Sequence, residues 1–390
     1  MSENGLFSHI QEKLVAELCR DLVRINTVNP PGDEQKAAEF VLDFLKPFGF
    51  EGELVPHADK RASMLARLKG TGELPAVMFN GHVDVVPVGA QAWQYEPFSG
   101  EIAEGKVWGR GSCDMKGGIA AMLVAARAIA LSKQKLRGDL VFSVTAGEEV
   151  NMLGARVLAA LPSLGALQAV IISEPTLNDI CLVERGVLWP EITTHGKTAH
   201  GSTPHLGINA VLMMLPLVEE LEKMEIPFTP HPLLGKMTRS LDILQGGMKA
   251  NVVPDACSVT YDLRTVPGQD HVKIIAQIEE KIKELEQRIP NFKATIKVMN
   301  DLPAAETAPD NPTVLRFQAA ASEAAGRNVE TKVMTFATEA CIFVPELHVP
   351  TIVLGPGDPK LAHQPNEFVE INKMADAARI YAHAAVKMLS

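Results

Sequence analysis

The chain has 390 residues, more than one hydrophobic core usually serves, so two domains are expected. With 46% hydrophobic and 22% charged residues its composition is that of a soluble globular protein, and a net charge of −10 argues against nucleic acid or an anionic membrane as the main partner. No run reaches the apolar length that spans a bilayer, MSENGLFSHIQEK lacks the basic and apolar regions of a signal peptide, and the five scattered cysteines form no CxxC pair, so reduced thiols in a cytoplasmic protein are expected.

Helical periodicity opens the chain over 7–24, with Ile10, Leu14, Leu18 and Leu22 on one face. Pro30-Pro31-Gly32 breaks it before a second helix at about 34–47. Strands are expected at 52–56, 63–68 and 74–80, the last ending at Asn80-Gly81 with His82 and Asp84 just beyond. Imidazole is a good ligand for a borderline-soft metal, and a carboxylate two residues on can hold its other N–H. Residues 86–105, with Trp93, Tyr95 and Phe98, read as a packed loop. Asp114 precedes Gly117-Gly118 and a helix at 119–131. An apolar strand at 139–145 runs into Glu148-Glu149, and another at 168–173 runs into Glu174. Far downstream a short strand at 351–354 leads to Gly355 and His363, and a helix spans about 371–388.

Strands alternating with helices argue for an α/β sheet, whose chemistry lies at the carboxyl ends of its strands. His82, Asp114, Glu148, Glu149, Glu174 and His363 all fall where such ends should be. The middle of the chain differs: strand 187–194, helix 207–223, strands 238–246 and 256–264, helix 271–288 and strand 292–298 make a βαββαβ order. We read it as an inserted domain over 184–299, with the first domain formed by 1–183 and 300–390.

Two histidines and three carboxylates suit a pair of zinc ions. Two Zn²⁺ outweigh Asp114, Glu149 and Glu174 by one positive charge, which a bridging hydroxide would neutralise. Five residues are few for two ions, so one carboxylate must bridge, and Asp114 is the candidate; Glu148, beside the ligand Glu149, is then free as general base. There is no HExxH, no GxGxxG after a strand and no GxSxG, and Gly196-Lys197-Thr198 lacks the earlier glycine of a phosphate loop.

The segments GHVDVVP (81–87), GRGSCDMKGG (109–118), AGEE (146–149), SEPT (173–176), HGKTAHGSTPHLGINA (195–210), NVVPDACSVTYDLR (251–264) and LAHQPNE (361–367) together resemble the dinuclear zinc amidohydrolases of the M20 metallopeptidase family, over nearly the whole chain. The resemblance implies a mixed-sheet, zinc-peptidase-like α/β catalytic domain carrying a ferredoxin-like lid and dimerisation domain. It implies His82, Asp114 and Glu174 on one zinc and Asp114, Glu149 and His363 on the other, with Co²⁺ or Mn²⁺ as possible substitutes. Asp84 would support His82, Glu148 would move the proton, and the Asp114–Met115 peptide would be cis. His200 matches a histidine that stabilises the oxyanion, often from the partner subunit of a homodimer, and Asn251 and Arg264 match residues that contact the substrate carboxylate.

The implied substrate is a small N-acyl amino acid. The segment 336–341, with Thr338 and Glu339, and the segment 354–367, with Gly355, are similar to those of acetylornithine deacetylases. Glu339 would suit a substrate bearing a free cationic amine. Succinyl-diaminopimelate desuccinylase, aminoacylase and carboxypeptidase activities remain alternatives, as does a non-catalytic binding relative, which would be expected to have lost ligands.

Overall fold

A computed structural model describes residues 3–334 and 336–390. The chain divides into two compact units. One comprises Met1–Val183, Glu306–Met334 and Thr338–Ser390, and the other Glu184–Ala305 with Thr335–Ala337. The closing strand of the inserted unit extends over Ala294–Leu302.

The larger unit is built on a nine-stranded mixed sheet. Its order runs Glu51–Ala58, Arg61–Leu68, Leu140–Thr145, Ala76–His82, Leu167–Ile172, Thr351–Val353, Ile180–Glu184, Ala305–Glu306, with Thr331–Met334 also pairing Ile180–Glu184. Strands Leu140–Thr145, Ala76–His82, Leu167–Ile172 and Thr351–Val353 are mutually parallel neighbours, so their carboxyl ends share one edge. Every residue of Ala76–His82 and Leu140–Thr145 is buried, as a parallel sheet covered on both faces requires. Burial of each large apolar side chain there contributes about 1.5–3 kcal/mol.

The helix Gly117–Ser132 packs between the helices Glu12–Arg24 and Ile371–Leu389. It is apolar all round, which makes it a core helix. Here the structure corrects an expectation: by length and composition Ser112–Ser132 could cross a membrane, but 78% of that window is buried inside the protein. The opening helix is also divided, into Glu3–Phe7 and Glu12–Arg24, because a turn closed by His9 and Ile10 amides intervenes. Glu101–Ala103, inside the stretch expected to be loop, joins Lys106–Trp108 and Phe368–Glu370 in a small sheet. All five cysteines are buried.

The inserted unit has the expected βαββαβ order, with its four antiparallel strands arranged Thr238–Gly246, Ala256–Thr265, Gly186–His195, Ala294–Leu302. Asn209 caps Ala210–Lys223 and Asp270 caps His271–Arg288, each side chain accepting two backbone N–H groups. Leu188, Ile192, Leu217, Tyr261 and Ile278 belong to its own separate core.

Candidate metal centre

His82 is the last residue of its strand, and Glu148 and Glu174 follow the neighbouring parallel strands by three and two residues. Sheet geometry alone therefore converges these three side chains. Asp114 arrives from a non-helical kink (φ −122°, ψ 95°) just before the core helix, and its peptide to Met115 is cis, as expected. His363 comes from a turn in which it adopts φ +63°.

The Asp114 carboxylate lies between the two imidazoles. Its Oδ1 is 3.1 Å from His82 Nε2 and its Oδ2 is 3.3 Å from His363 Nε2. Each ring has a second carboxylate: Glu174 Oε1 at 3.4 Å from His82 Nε2, and Glu149 at 3.1 Å from His363 Nε2. Glu148 Oε2 stands 3.9 Å from His82 Nε2. Donor atoms of His82, Asp114 and Glu149 all lie within 4.8 Å of one another.

Electrostatics test whether these residues fit a cation. Burial pushes the carboxyls of Glu148 and Glu149 up from the ordinary range, and that of Glu174 up to about 8. Burial opposes ionisation of Asp114 too, but hydrogen bonds with His363 and His82 outweigh it and hold its carboxyl down. Burial likewise works against a charged His82, yet Glu148 and Glu174 raise its imidazole well above the usual value. Hydrogen bonds to Asp114 and then Glu149 carry His363 up to about 10. The carboxylates thus lack positive charge and the imidazoles borrow protons to supply it. Divalent cations would meet both needs with a donor set of the right chemistry.

The supports differ in part from expectation. His82 Nδ1 meets the backbone carbonyl of Asp84 at 3.0 Å, whereas the nearest Asp84 carboxylate oxygen is 3.7 Å away. That buried carboxylate instead accepts N–H bonds from Gly147, Glu148, Glu149 and the Asn29 side chain. Glu339 is fully buried, with Oε2 accepting the Asn80 amide at 2.5 Å, so it faces the strand that carries His82 and not an open pocket. Thr338 is buried, its hydroxyl accepting the Ala340 N–H. Gly355 packs on the Glu174 loop: a Cβ there would lie 2.2 Å from Ser173 O and 2.4 Å from Glu174 O. All three thus pack against the loops and strand that carry the ligands.

In the inserted unit, His200 is exposed and its Nδ1 accepts the Ser202 N–H. The neighbouring chain holds Asn251, whose carbonyl accepts the Gly201 N–H at 2.8 Å. Arg264 lies elsewhere: Asn251 precedes the start of strand Ala256–Thr265, and Arg264 is its penultimate residue. At about 3.3 Å per residue the strand is about 26 Å long from Ala256 to Arg264, and Asn251 enters it from the end remote from Arg264. Arg264 Nε donates to Asp262 at 3.0 Å. The sequence reading had assigned no role to Asn29, Arg110 or Glu367; the last two lie inside motifs it singled out.

Metal-ligating side chains gathered at the carboxyl edge of an α/β sheet are a property of metal-dependent hydrolases. Residues 78–387 match the Peptidase family M20/M25/M40, and the chain belongs to that family. It is 29% identical to a Staphylococcus epidermidis protein named "Probable succinyl-diaminopimelate desuccinylase", over 92% of this chain and 93% of that one. It is 30% identical to an acetylornithine deacetylase of Myxococcus xanthus, over 87% and 88%. Among solved structures, an M20 family metallo-carboxypeptidase of Sulfolobus solfataricus superposes with a TM-score of 0.78 at 18% identity, covering 96% of this chain and 99% of that one. A dinuclear metal-binding M20 peptidase of Bacillus subtilis gives 0.71 at 17% identity, covering 97% and 98%. The chain is an M20 family amide hydrolase.

Proposed function

We propose that this chain hydrolyses the amide bond of N-acyl amino acids with two divalent cations bound. The observation that carries the reading is the Asp114 carboxylate, shared between His82 and His363, each with its own glutamate. His82, Asp114 and Glu174 would hold one cation and Asp114, Glu149 and His363 the other, with zinc the first candidate and cobalt or manganese the substitutes. Bound there, the cations would polarise the amide carbonyl and bring the pKa of water towards neutrality.

Glu148 is the carboxylate left over from both sets, buried and raised in pKa. We assign it the proton taken from water and delivered to the leaving amine. Because His200 Nδ1 accepts an N–H, a neutral ring carries its proton on Nε2, the donor a developing oxyanion needs. Arg264 and Asn251 remain the candidates for the substrate carboxylate. Their separation supports a homodimer in which the two come from different copies. So does the edge strand Thr238–Gly246, which leaves Ile243 and Leu244 exposed, as Leu212 and Leu215 are on the helix Ala210–Lys223. Five scattered cysteines with no CxxC pair support a cytoplasmic location.

The first substrate we propose is N2-acetylornithine, on the resemblance of segments 336–341 and 354–367 and the Myxococcus relative. The staphylococcal relative favours N-succinyl-diaminopimelate as a second reading. The test compares metal-replete protein on N-acetylornithine, N-succinyl-diaminopimelate and N-acetylmethionine, before and after chelation. Preference for the first supports the deacetylase reading, and activity confined to the others moves the substrate while keeping the amidase. Turnover that survives complete metal removal would overturn the metal-dependent mechanism.

A further inference from the structure

The buried ion pair Arg110–Glu367 ties two ligand-bearing loops together. Arg110 is 2% exposed and Glu367 fully buried, and Arg110 Nη1 donates to Glu367 Oε2 at 2.5 Å. The antiparallel pairing of Trp108 with Phe368 sets this register, and Gly109 N–H donates to Glu367 O just beyond it. The other carboxylate oxygen of Glu367 accepts the backbone N–H groups of Cys113 at 2.9 Å and Asp114 at 3.1 Å. Arg110 in turn donates to the carbonyls of Gln364 and His363, each at 3.3 Å, and to that of Pro87 at 3.4 Å. Trp93 covers the guanidinium, its ring centroid 5.2 Å from Cζ.

Both loops need such a partner. Asp114 sits in a kink outside helical geometry, so its N–H is not committed to a helix ladder. His363 holds a left-handed conformation that non-glycine residues seldom adopt. A planar guanidinium and a carboxylate, each with several contacts, define relative position far better than a single hydrogen bond. By contrast, His82 is paired within the parallel sheet, and Glu174 follows the neighbouring strand by only two residues.

We infer that Arg110 and Glu367 are positioning residues that set Asp114 against His363, and so selectively build the Asp114–Glu149–His363 half of the metal centre. This rests on the dinuclear reading above. It goes further by naming what brings the His363 loop to the shared ligand Asp114: the ion pair there, where a sheet strand carries His82. Neither residue touches the cluster through its own side chain, and each acts on a ligand's backbone.

The experiment strips the full-length chain with chelator and titrates it with Co²⁺, following heat and visible absorption, for wild type, E367A, E367Q and R110K. Wild type is expected to take up two ions per chain; uptake of fewer would fail the dinuclear reading itself and leave nothing for the pair to build. With two ions in wild type, E367A should bind one as before and the other about 10- to 100-fold more weakly. E367Q, which keeps an acceptor for the two N–H groups, should fall between. Unchanged binding at both sites, or equal weakening of both, would overturn the inference. If E367A does not fold, R110K decides: it keeps the charge but not the fork that spans Glu367 and the His363 carbonyl, so it should weaken the same single site.

Discussion

Asp84 Oδ1 accepts the backbone N–H of Glu148 at 3.1 Å, and through its two oxygens the same carboxylate also takes Gly147 and Glu149. One buried side chain thus fixes the peptide planes from which both the proposed base and a proposed ligand project. Asp84→Asn puts an amide NH₂ where an N–H already points. We expect a loss of about 1–3 kcal/mol, read by denaturant unfolding, and a fall in kcat larger than the change in KM. A variant with wild-type stability and kcat would show that the acceptor is dispensable.

Glu148 is expected to act on protons and not on metal. Glu148→Gln should lower kcat by about 10²–10⁴-fold while both ions stay bound, counted by atomic absorption after gel filtration. Loss of an ion from this variant would make Glu148 a ligand instead.

Metal uptake should release protons. In the metal-free chain Glu174 has its pKa near 8 and His363 near 10, and Glu148 and His82 are also raised. At pH 7 Glu174 and His363 hold protons that cations would displace, and the upward shifts of Glu148 and His82 act in the same direction. Calorimetric titration in buffers of different ionisation enthalpy should give a net release, and no release or a net uptake would contradict the charge argument.

Burial pushes Glu339 up to about 7 from an ordinary 4.5. Between those pH values the folded chain keeps a proton that the unfolded chain has lost. Its contribution is therefore complete below pH 4.5 and disappears as pH rises through about 7, an effect of about 3 kcal/mol at full extent. Glu339→Gln, which cannot titrate, should flatten that part of the stability curve of the metal-free protein in urea. Curves of the same slope for both proteins would mean that Glu339 stays ionised.

Gly355 offers a steric test. Gly355→Ala places a methyl against the carbonyls of Ser173 and Glu174. We expect a cost of about 1–3 kcal/mol, seen in thermal unfolding, with weaker binding of the ion shared with Glu174. Activity changed in KM alone would place Gly355 in the substrate pocket.

Much of this was legible in the chain. An apolar run that stops at a ligand-type residue marks a strand end, and His82, Glu148 and Glu174 were found that way. The alternation of the inserted unit gave its βαββαβ order because each element carries its own cap or turn. The strand Ile180–Glu184 was missed, since only Arg185 separates it from Gly186–His195 and the two read as one run. The helices Pro312–Ala325 and Ala340–Leu347 were missed as well, although Asn311 and a first-turn proline mark the former. The Arg110–Glu367 pair joins residues 257 apart, and no local spacing encodes such a partnership. An acidic residue in an apolar segment, Glu339, suggests a pocket from sequence, and only the fold shows that Asn80 is its partner in the core.

The strand Thr351–Val353 occupies the slot between Leu167–Ile172 and Ile180–Glu184, two strands that are near neighbours in sequence. A ribosome must therefore deliver more than 160 further residues, the inserted unit among them, before that slot can close. Until then the emerging sheet offers bare edges to other chains, and Gly355 and His363 have yet to join Glu174 and Asp114. Nascent chains halted before Thr351 should consequently be clients for chaperones, and the metal centre is among the last things this protein acquires as it is born.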